Sequence, residues 1–536
     1  MTTAPSSDLW SRYGGRRAGA AAFSGLLAAQ AFPSADLAPL AWVALIPLLA
    51  VLCHDAPDVG AWHGFLQGVV FYLVLLSWIP QVVAGYGGLG LALGWLVGLL
   101  LVVVLAGFHA LFGAWQAWLH GRLGLAALLA APAGWVLLAE GLRNWPLGGF
   151  PWGFLGYSQH GIPGMLRLAP WIGVSGLSLV LVGFSALSVA AFSPGKRAIW
   201  RRTGLLLVAL ILVLVLLPAW PLPPAAGEPL TVAAIQGDVR QDEKWQDSRR
   251  VEILDRHLDL TRRALAGGAR LILWPESSTV EQLSESPALR ARLGNLLRPS
   301  GARAIVGSVY RLPGGGYTNA AFLVDSQGSL LERYDKVHLV PFGETVPLAG
   351  LLFFVKPLVE AVGDFRPGKT VGLMGHDLDL RRSTVARAGA GEATPFGMSI
   401  CYEIIYGSMV AEQVRRGATF LTTITNDAWF GRTAAPAQHF AMAVLRAAET
   451  RRWLVRSANT GISGLVAPDG RVVQATGLFV PALVQGTLVP RRDLTFYVRY
   501  PQALSQACVM ILLLAAALAA FWNPHGHAGR LPKPSR

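Results

Sequence analysis

The stretch TPFGMSICYEIIYG (394–407) has the pattern of a buried β-strand that ends on a cysteine. Tyr402 and Glu403 follow Cys401 at once, so a carboxylate stands next to the thiol along the chain. Two questions follow: which kind of domain contains this strand, and what the thiol does there.

The three cysteines of the chain differ in their surroundings. Cys53 and Cys508 lie inside apolar runs, where a free cysteine behaves as a small packing residue. Cys401 lies in the polar part of the chain and has no evident disulfide partner. It is therefore either an inert core residue or a working thiol.

The composition is that of an integral membrane protein. Of 536 residues, 53% are hydrophobic and only 14% are charged, whereas soluble domains carry about 25% charged residues. The net charge of +14 fits lysines and arginines that set membrane topology better than it fits nucleic-acid binding. We find no Cys/His cluster with metal-ligand spacing and no glycine-rich phosphate loop after a strand, so we expect no metal and no cofactor.

Apolar runs long enough to cross about 30 Å of hydrocarbon recur along the chain. Seven lie in the first 220 residues, at 17–34, 37–53, 61–84, 88–119, 124–143, 171–193 and 203–220, and an eighth lies at 502–522. The first is short and rich in glycine, and a signal peptide is its alternative. No clean small-residue cleavage site followed by a soluble chain supports that alternative, so we predict about eight transmembrane helices.

The composition and pattern of the sequence change after Pro218. Residues 229–490 alternate short β-rich runs with charged, helix-like stretches, which predicts an α/β domain of ordinary size. We therefore divide the chain into a transmembrane domain of seven spans (1–225), a catalytic domain (226–492), and an eighth span with a basic tail (493–536).

Positive charges predict the orientation. Arginines precede the first span, the segment 193–202 before the seventh span holds two lysine or arginine pairs, and the C-terminal tail is basic. With eight spans all three fall on one side, which the positive-inside rule makes cytoplasmic. The α/β domain then faces the periplasm of a bacterial inner membrane, an oxidising compartment in which an unpaired cysteine suggests chemistry.

Three polar side chains stand at predicted strand ends or in the loops just after them: Glu276, Lys336 and Cys401. Active sites of α/β proteins gather at such ends. A carboxylate can take the thiol proton, a fixed ammonium can stabilise the oxyanion of an acyl-transfer intermediate, and a nearby lysine lowers a thiol pKa. By position alone, Glu276 could equally cap a helix, Lys336 could be a solvated turn residue, and Cys401 could be core.

Four motifs give the chain a family resemblance: WPE (274–276), YDKVHLVPFGE (334–344), CYE (401–403) and NDAWFG (426–431). They resemble the nitrilase, or carbon–nitrogen hydrolase, superfamily with its Glu–Lys–Cys triad. Seven spans, such a domain and one more span resemble the bacterial apolipoprotein N-acyltransferases, and GGFPWGFLGYSQ (148–159) resembles that family's loop between spans five and six. The resemblance implies a multi-span α-helical membrane protein with an inserted αββα sandwich.

The resemblance also implies roles and partners. Cys401 would be the nucleophile, Glu276 the general base and Lys336 the oxyanion-stabilising cation. The acyl donor would be a phospholipid, typically phosphatidylethanolamine cleaved at its sn-1 ester. The acceptor would be the amine of the diacylglyceryl-cysteine at an apolipoprotein's N-terminus. We expect a monomer that needs no cofactor and binds no nucleic acid.

Three further residues would support the triad under the same resemblance. Glu344 would orient it, Glu403 would assist from beside the nucleophile, and the backbone N–H of Tyr402 would be a second oxyanion donor. For Glu344 and Glu403, a structural hydrogen bond in a buried polar site is the alternative.

Apolar residues near these motifs suggest lipid contacts. The stretch TVPLAGLLFFVKPLVEAVG (345–363) is too short and too charged to span a membrane. We interpret it, with Phe353 and Phe354, as an arm that dips into the interface, a buried helix being the alternative. Trp245 and Trp429 could be pocket walls or ordinary core aromatics. Trp145, Trp152 and Trp171 flank the outward loop between spans five and six, where an interfacial aromatic belt is expected.

Two other functions compete with acyl transfer. A membrane-tethered amidase acting on small amides would use the same triad, but a small polar substrate needs neither the apolar arm nor eight spans. A transporter with a degenerate nitrilase module would place ionisable residues near mid-membrane, and these spans carry almost none there.

Overall fold

The structure is a computed structural model that describes residues 15–86, 90–144, 149–193, 198–216, 227–244, 246–341, 343–345, 364–376, 378–379, 384–385 and 393–521. Its membrane part is helical, and its polar part contains fourteen strands in the described ranges.

Apolar helices form the first part of the chain and its end. Their bounds are Gly15–Gln30, Leu40–Val43, Ile46–Leu52, Pro57–Leu75, Ile79–Tyr86, Gly90–Leu123, Ala131–Gly134, Pro163–Phe192, Ala198–Leu216 and Ala503–Phe521. Among the described residues, four helices are long and apolar enough to cross a membrane: Pro57–Leu75, Gly90–Leu129 (with the 3₁₀ turn that follows it), Pro163–Phe192 and Ala503–Phe521.

Three predicted spans are less regular than expected. The run 37–53 forms two short helices, and the second begins with Pro47 at its first turn, where a residue without an N–H is tolerated. The run 61–84 is divided between Pro57–Leu75 and Ile79–Tyr86. The run 124–143 passes through 3₁₀, α and π geometry. Apolar composition alone therefore does not fix where a helix breaks.

Small residues allow the membrane helices to approach each other closely. A Cβ added to Gly64 would lie 2.3 Å from the carbonyl oxygen of His109, and one added to Gly113 would lie 2.1 Å from that of Gly60. The helices Pro57–Leu75 and Gly90–Leu123 thus pack backbone to backbone, as small residues permit inside membranes.

The strands of the α/β domain are β1 Leu230–Gln236, β2 Leu271–Leu273, β3 Arg303–Arg311, β4 Tyr317–Val324, β5 Leu330–Asp335, β6 Leu373–Met374, β7 Leu378–Asp379, β8 Thr384–Val385, β9 Phe396–Ile400, β10 Leu421–Thr425, β11 Leu454–Ala458, β12 Gly464–Val466, β13 Val472–Ala475 and β14 Ala482–Leu488. They form two six-stranded sheets, in the orders β14-β1-β2-β3-β4-β5 and β13-β12-β11-β10-β9-β6, and β7 pairs with β8 alone. Strands β1 to β3 are mutually parallel, as are β9 to β11, and the outer strands are antiparallel.

The sheets face each other, with helices on both outer sides. Alternate residues of β1 point to different cores: Val232 and Ala234 belong to the core shared by the two sheets, whereas Ala233 and Ile235 belong to the core under the outer helices. Arg250–Ala266 and Pro287–Leu297 cover the first sheet, and Gly407–Arg415 and Ala435–Thr450 lie against the second; a short helix, Phe496–Arg499, leads to the last apolar helix. The domain has the predicted nitrilase-like αββα sandwich.

One helix of the sandwich, Ala435–Thr450, docks the domain onto the membrane helices. Its Gln438 accepts hydrogen bonds from the indoles of Trp78 and Trp152, at 3.3 and 2.8 Å. Trp152, expected in an aromatic belt at the membrane surface, is instead buried in this joint. Because the Gln438 amide is buried and hydrogen-bonded to both tryptophans, it fixes the position of the domain relative to the membrane helices.

Candidate active site

Glu276, Lys336 and Cys401 converge at one end of the two sheets. Glu276 follows β2, Lys336 follows β5 directly, and Cys401 follows β9 directly. All three are buried. The Nζ of Lys336 lies 3.2 Å from Oε1 of Glu276, and both charges act on the Cys401 thiol. The structure therefore brings together the three residues that the sequence singled out.

Glu344 and Asn319 complete the surroundings of the ammonium. Lys336 Nζ lies 2.9 Å from Oε2 of Glu344. The side-chain amide of Asn319 donates to Glu276 at 2.6 Å and to Glu344 at 3.0 Å. Glu344 and Glu276 thus hold the Lys336 ammonium between them.

Glu276 is held in its ionised form. Burial opposes its charge, but Lys336, the Asn319 amide, Lys244 and the backbone N–H of Asn426 outweigh burial and lower the pKa of the carboxyl. The Asn426 N–H donates to Oε2 at 2.7 Å. A carboxylate that is ionised and anchored by three donors can accept a proton without first moving.

Lys336 stays protonated for a matching reason. Burial would favour the neutral amine, but Glu276 and then Glu344 raise the pKa of Lys336 well above its usual range. The side chain therefore presents a permanent positive charge, as an oxyanion-stabilising group must.

Cys401 occupies a strained turn. Its φ is +54°, a left-handed conformation that a residue with a Cβ seldom adopts, and a 3₁₀ turn runs from Cys401 to Ile405. Burial, followed by the charge of Glu276, raises the pKa of the thiol, and Lys336 offsets only part of that rise. These surroundings favour the protonated thiol over the thiolate.

Glu403 connects the segments that carry Lys336 and Cys401. One carboxylate oxygen accepts from the Tyr334 hydroxyl at 2.7 Å and from the backbone N–H groups of Val337 at 2.6 Å and His338 at 3.1 Å. The other accepts from the backbone N–H of Ile400 at 2.7 Å. These bonds match the structural alternative considered for Glu403: it positions the two strand ends.

The burial of Glu403 also affects its ionisation. Burial raises the pKa of its carboxyl to about 7, against the N–H of Ile400, the Tyr334 hydroxyl and the charge of Lys336. Tyr402, the other predicted neighbour of the nucleophile, donates from its hydroxyl to the carbonyl of Gly149 at 3.3 Å. It thereby joins the turn at Cys401 to the loop between membrane helices.

A buried network behind Cys401 was not predicted from the sequence. His439 Nε2 lies 3.1 Å from the carbonyl oxygen of Cys401, and Arg456 Nη2 bridges His439 Nδ1 at 3.1 Å and Asp427 Oδ2 at 2.8 Å. Because a carbonyl only accepts, Nε2 carries a proton, and Nδ1 lies 3.1 Å both from Arg456 Nη2 and from Oδ1 of Asp427. Burial and Arg456 lower the pKa of His439, and Asp427 offsets part of that effect.

Of the four residues predicted to contact lipid, Trp429 lies among the described residues. Trp429 lies in the 3₁₀ turn Asp427–Phe430 and is 39% exposed. Trp245, Phe353 and Phe354, like Trp145, lie outside the described residues.

Comparison with known proteins identifies the family. Residues 24–187 match the family "Apolipoprotein N-acyltransferase N-terminal domain", and residues 231–492 match the family "Carbon-nitrogen hydrolase". The apolipoprotein N-acyltransferase of Geobacter metallireducens is 36% identical over 518 residues, which cover 93% of this chain and 94% of that protein. That of Methylococcus capsulatus is 33% identical over 532 residues, covering 96% of this chain and 98% of that protein.

Two solved structures each align with about half of this chain. A mutant of the amidase from Nesterenkonia, a member of the nitrilase superfamily, aligns with 52% of this chain and 96% of its own, at 20% identity and a TM-score of 0.36. Nit3 from Saccharomyces cerevisiae aligns with 52% of this chain and 95% of its own, at 15% identity and a TM-score of 0.37. The sequence relatives, matched over nearly their whole length, place this chain in the apolipoprotein N-acyltransferase family.

Proposed function

We propose that this protein transfers a fatty acyl chain from a phospholipid to the N-terminal amine of an apolipoprotein through a thioester on Cys401. The observation that carries the proposal is the buried Glu276–Lys336–Cys401 cluster, in a chain whose relatives, matched over nearly their whole length, are apolipoprotein N-acyltransferases. The membrane-length helices of the same chain support a lipid substrate for this cluster.

In the first step, the Cys401 sulfur attacks the carbonyl carbon of the sn-1 ester. The thiol proton passes to Glu276, and the oxyanion is stabilised by Lys336, with the Tyr402 N–H as a second donor. The carbon–oxygen bond then breaks, the leaving alkoxide takes the proton from Glu276, and a lysophospholipid departs. We propose phosphatidylethanolamine as the donor.

In the second step, Glu276 takes a proton from the ammonium of the acceptor's diacylglyceryl-cysteine. The free amine attacks the thioester carbon, the carbon–sulfur bond breaks, and one of the two amine protons goes to the Cys401 sulfur, while the other stays on the amide nitrogen. The proton on Glu276 is released to water. Because a thioester is reactive enough to acylate an amine, the sequence needs no ATP and no cofactor.

The catalytic domain (226–492) is proposed to face the periplasm from the bacterial inner membrane. It would follow seven spans in residues 1–225 and precede an eighth span and basic cytoplasmic tail in 493–536. The support is the basic residues Arg16, Arg17, Arg201 and Arg202, with Lys196 and Arg197 beside the last two. A reporter active only in cytoplasm, fused after residue 225, should stay silent, and a strong signal would overturn this orientation.

One chain is proposed to act alone. Glu276, Lys336, Glu344 and Cys401 all come from a single polypeptide, so the site needs no residue from a partner. The alternative of a small-amide hydrolase is not favoured, because it leaves the membrane helices and the full-length relatives without a role.

The direct test uses the full chain in phospholipid nanodiscs. The donor carries a labelled sn-1 chain, and the acceptor is a synthetic peptide with an N-terminal diacylglyceryl-cysteine. The label should appear as an amide on that N-terminus, and Cys401→Ala should abolish it. Release of the label only as free fatty acid, with acceptor present, would refute the transfer reaction.

A further inference from the structure

A cavity of about 240 Å³ lies away from the catalytic cluster, and none of its lining residues belongs to that cluster. It is bounded by the helix Pro163–Phe192 on one side and by the segment that leads into the helix Ala503–Phe521 on the other. Its walls are formed by Pro170, Trp171, Arg451, Leu494, Thr495, Phe496, Arg499 and Tyr500.

Two helix ends place this cavity at the level of lipid headgroups. The helix Pro163–Phe192 is kinked at Gly173, whose φ is +63°, and the Val174 N–H there donates to Glu449 of the catalytic domain at 2.7 Å. The last apolar helix begins at Ala503, just after Tyr500. The cavity therefore lies near the N-terminal ends of two helices that are long and apolar enough to cross a membrane, which suits it to the headgroup level.

Aromatic side chains make one wall suited to the glycerol and upper acyl region of a lipid. Trp171 stacks on Phe496 with ring centres 6.4 Å apart, and Phe496 contacts Tyr500 at 5.2 Å. Trp171 and Tyr500 are each 58% exposed. Half-exposed Trp and Tyr at this level are typical of residues that contact lipid headgroups.

Two arginines give the cavity its charge, and none of its lining residues in the described structure is acidic. The nearby carboxylates are already paired: Glu449 lies 3.1 Å from Arg446, and Asp493 lies 3.0 Å from Arg491. The Nε of Arg451 is buried without a hydrogen-bond partner in the described part of the protein. The cavity thus offers positive charge that no neighbouring carboxylate neutralises.

The conformation of Arg451 supports a function for its guanidinium. Arg451 ends the helix Ala435–Thr450 with φ +50° and ψ +45°, a left-handed position that glycine occupies most easily. An arginine at this position accepts backbone strain that a glycine would avoid.

We propose that this cavity binds the phosphodiester headgroup of an anionic phospholipid from the leaflet on the catalytic side. Arg451 and Arg499 would hold the phosphate, and Trp171 and Phe496 would lie against the glycerol and the first acyl carbons. The two arginines favour a lipid with a net negative charge over a zwitterionic one. The site is separate from Cys401 and does not depend on the acyl-transfer reaction.

The test is native mass spectrometry of the full chain in detergent with phosphatidylglycerol or phosphatidylcholine at equal concentrations. The wild-type protein should retain phosphatidylglycerol in preference to phosphatidylcholine. Arg451→Gly and Arg499→Gln should each weaken that retention about five-fold, the scale expected for one arginine at a membrane surface, and should leave phosphatidylcholine unchanged. Arg451→Gly is a suitable test variant because glycine readily adopts the left-handed backbone conformation, so the variant should still fold.

Arg311→Gln is the matched control, because Arg311 is an exposed arginine at the end of β3, away from the cavity. It should retain phosphatidylglycerol as the wild type does. Equal retention by wild type and both cavity variants would overturn the proposal, as would an equal loss in Arg311→Gln. Displacement of the lipid by inorganic phosphate at the same concentration would also overturn it, because the site would then recognise free phosphate.

Discussion

Lys336 and Glu276 form a buried ion pair in which Nζ and Oε1 are 3.2 Å apart. Each partner explains the ionisation of the other: Lys336 helps to lower the pKa of Glu276, and Glu276 helps to raise that of Lys336. The same pair provides the base and the oxyanion-stabilising cation of the proposed reaction. Replacing either partner of this pair should therefore be the most damaging change after replacing Cys401.

Glu276→Gln and Lys336→Met should each slow formation of the acyl-enzyme on the order of 10²-fold or more, the scale of losing a general base or an oxyanion-stabilising group. The rate is measured by rapid quenching and mass spectrometry. Glu285→Gln, which changes a carboxylate of the 3₁₀ turn Leu283–Glu285, is the control and should have no effect. A normal rate in Lys336→Met would remove Lys336 from the mechanism.

Alkylation of Cys401 by iodoacetamide should have its pH midpoint above 9.0, the ordinary pKa of a cysteine thiol, because burial raises this pKa. Since only the thiolate reacts, a raised pKa moves labelling to higher pH. Glu276→Gln removes a negative charge and should move the midpoint down, whereas Lys336→Met removes a positive charge and should move it up. Site-resolved peptide mass spectrometry separates Cys401 from Cys53 and Cys508. A wild-type midpoint below 9.0 would indicate a preformed thiolate and contradict general-base activation.

His439 should act as a positioning residue for the strained turn at Cys401. His439→Leu loses the donor to the Cys401 carbonyl, and the acyl-enzyme should then form about tenfold more slowly, as expected when a buried hydrogen bond is lost. His439→Gln can still donate and should retain most of the rate. The apparent affinity for the acyl donor should be the same in both variants, since His439 contacts the turn and not the lipid. A slower rate in His439→Gln than in His439→Leu would exclude the hydrogen bond as the cause.

Phe353→Ser with Phe354→Ser should reduce the use of long-chain phospholipid far more than the use of a short, soluble acyl ester. Both substrates need the triad, but only the phospholipid needs a contact with the membrane interface. The two activities are measured on the same protein preparation. Equal losses would identify the two phenylalanines as core residues of the domain.

The sequence was sufficient for those features that depend on neighbours along the chain. Strand patterns ending at or shortly before Glu276, Lys336 and Cys401 predicted that these residues meet at one end of the sandwich, and the structure places them there. The residues that were missed lie far apart in sequence. Asn319 lies within β4, His439 within a helix and Arg456 within β11, and no local pattern distinguishes them from ordinary core residues.

Helix breaks and buried polar contacts between the domains could not be predicted from the sequence either. Trp152 resembles an interfacial tryptophan until Gln438, 286 residues away, is placed beside it. Glu403 stands next to Cys401 along the chain, yet its carboxylate bonds backbone that the fold supplies, including Val337, 66 residues away. The position of Glu403 next to Cys401 indicated that it lies near the site, but not which groups its carboxylate contacts.

The central claim is tested most directly by the intact mass of the protein after incubation with phospholipid and no acceptor. The wild-type protein should gain the mass of one fatty acyl chain, and neutral hydroxylamine should remove it, as it removes thioesters. Cys401→Ala should gain nothing, Cys401→Ser should be nearly inactive because Glu276 is too weak a base to ionise a hydroxyl, and Cys53→Ala and Cys508→Ala should keep the adduct. An adduct that persists in Cys401→Ala, or that maps to another residue, would contradict the thioester mechanism.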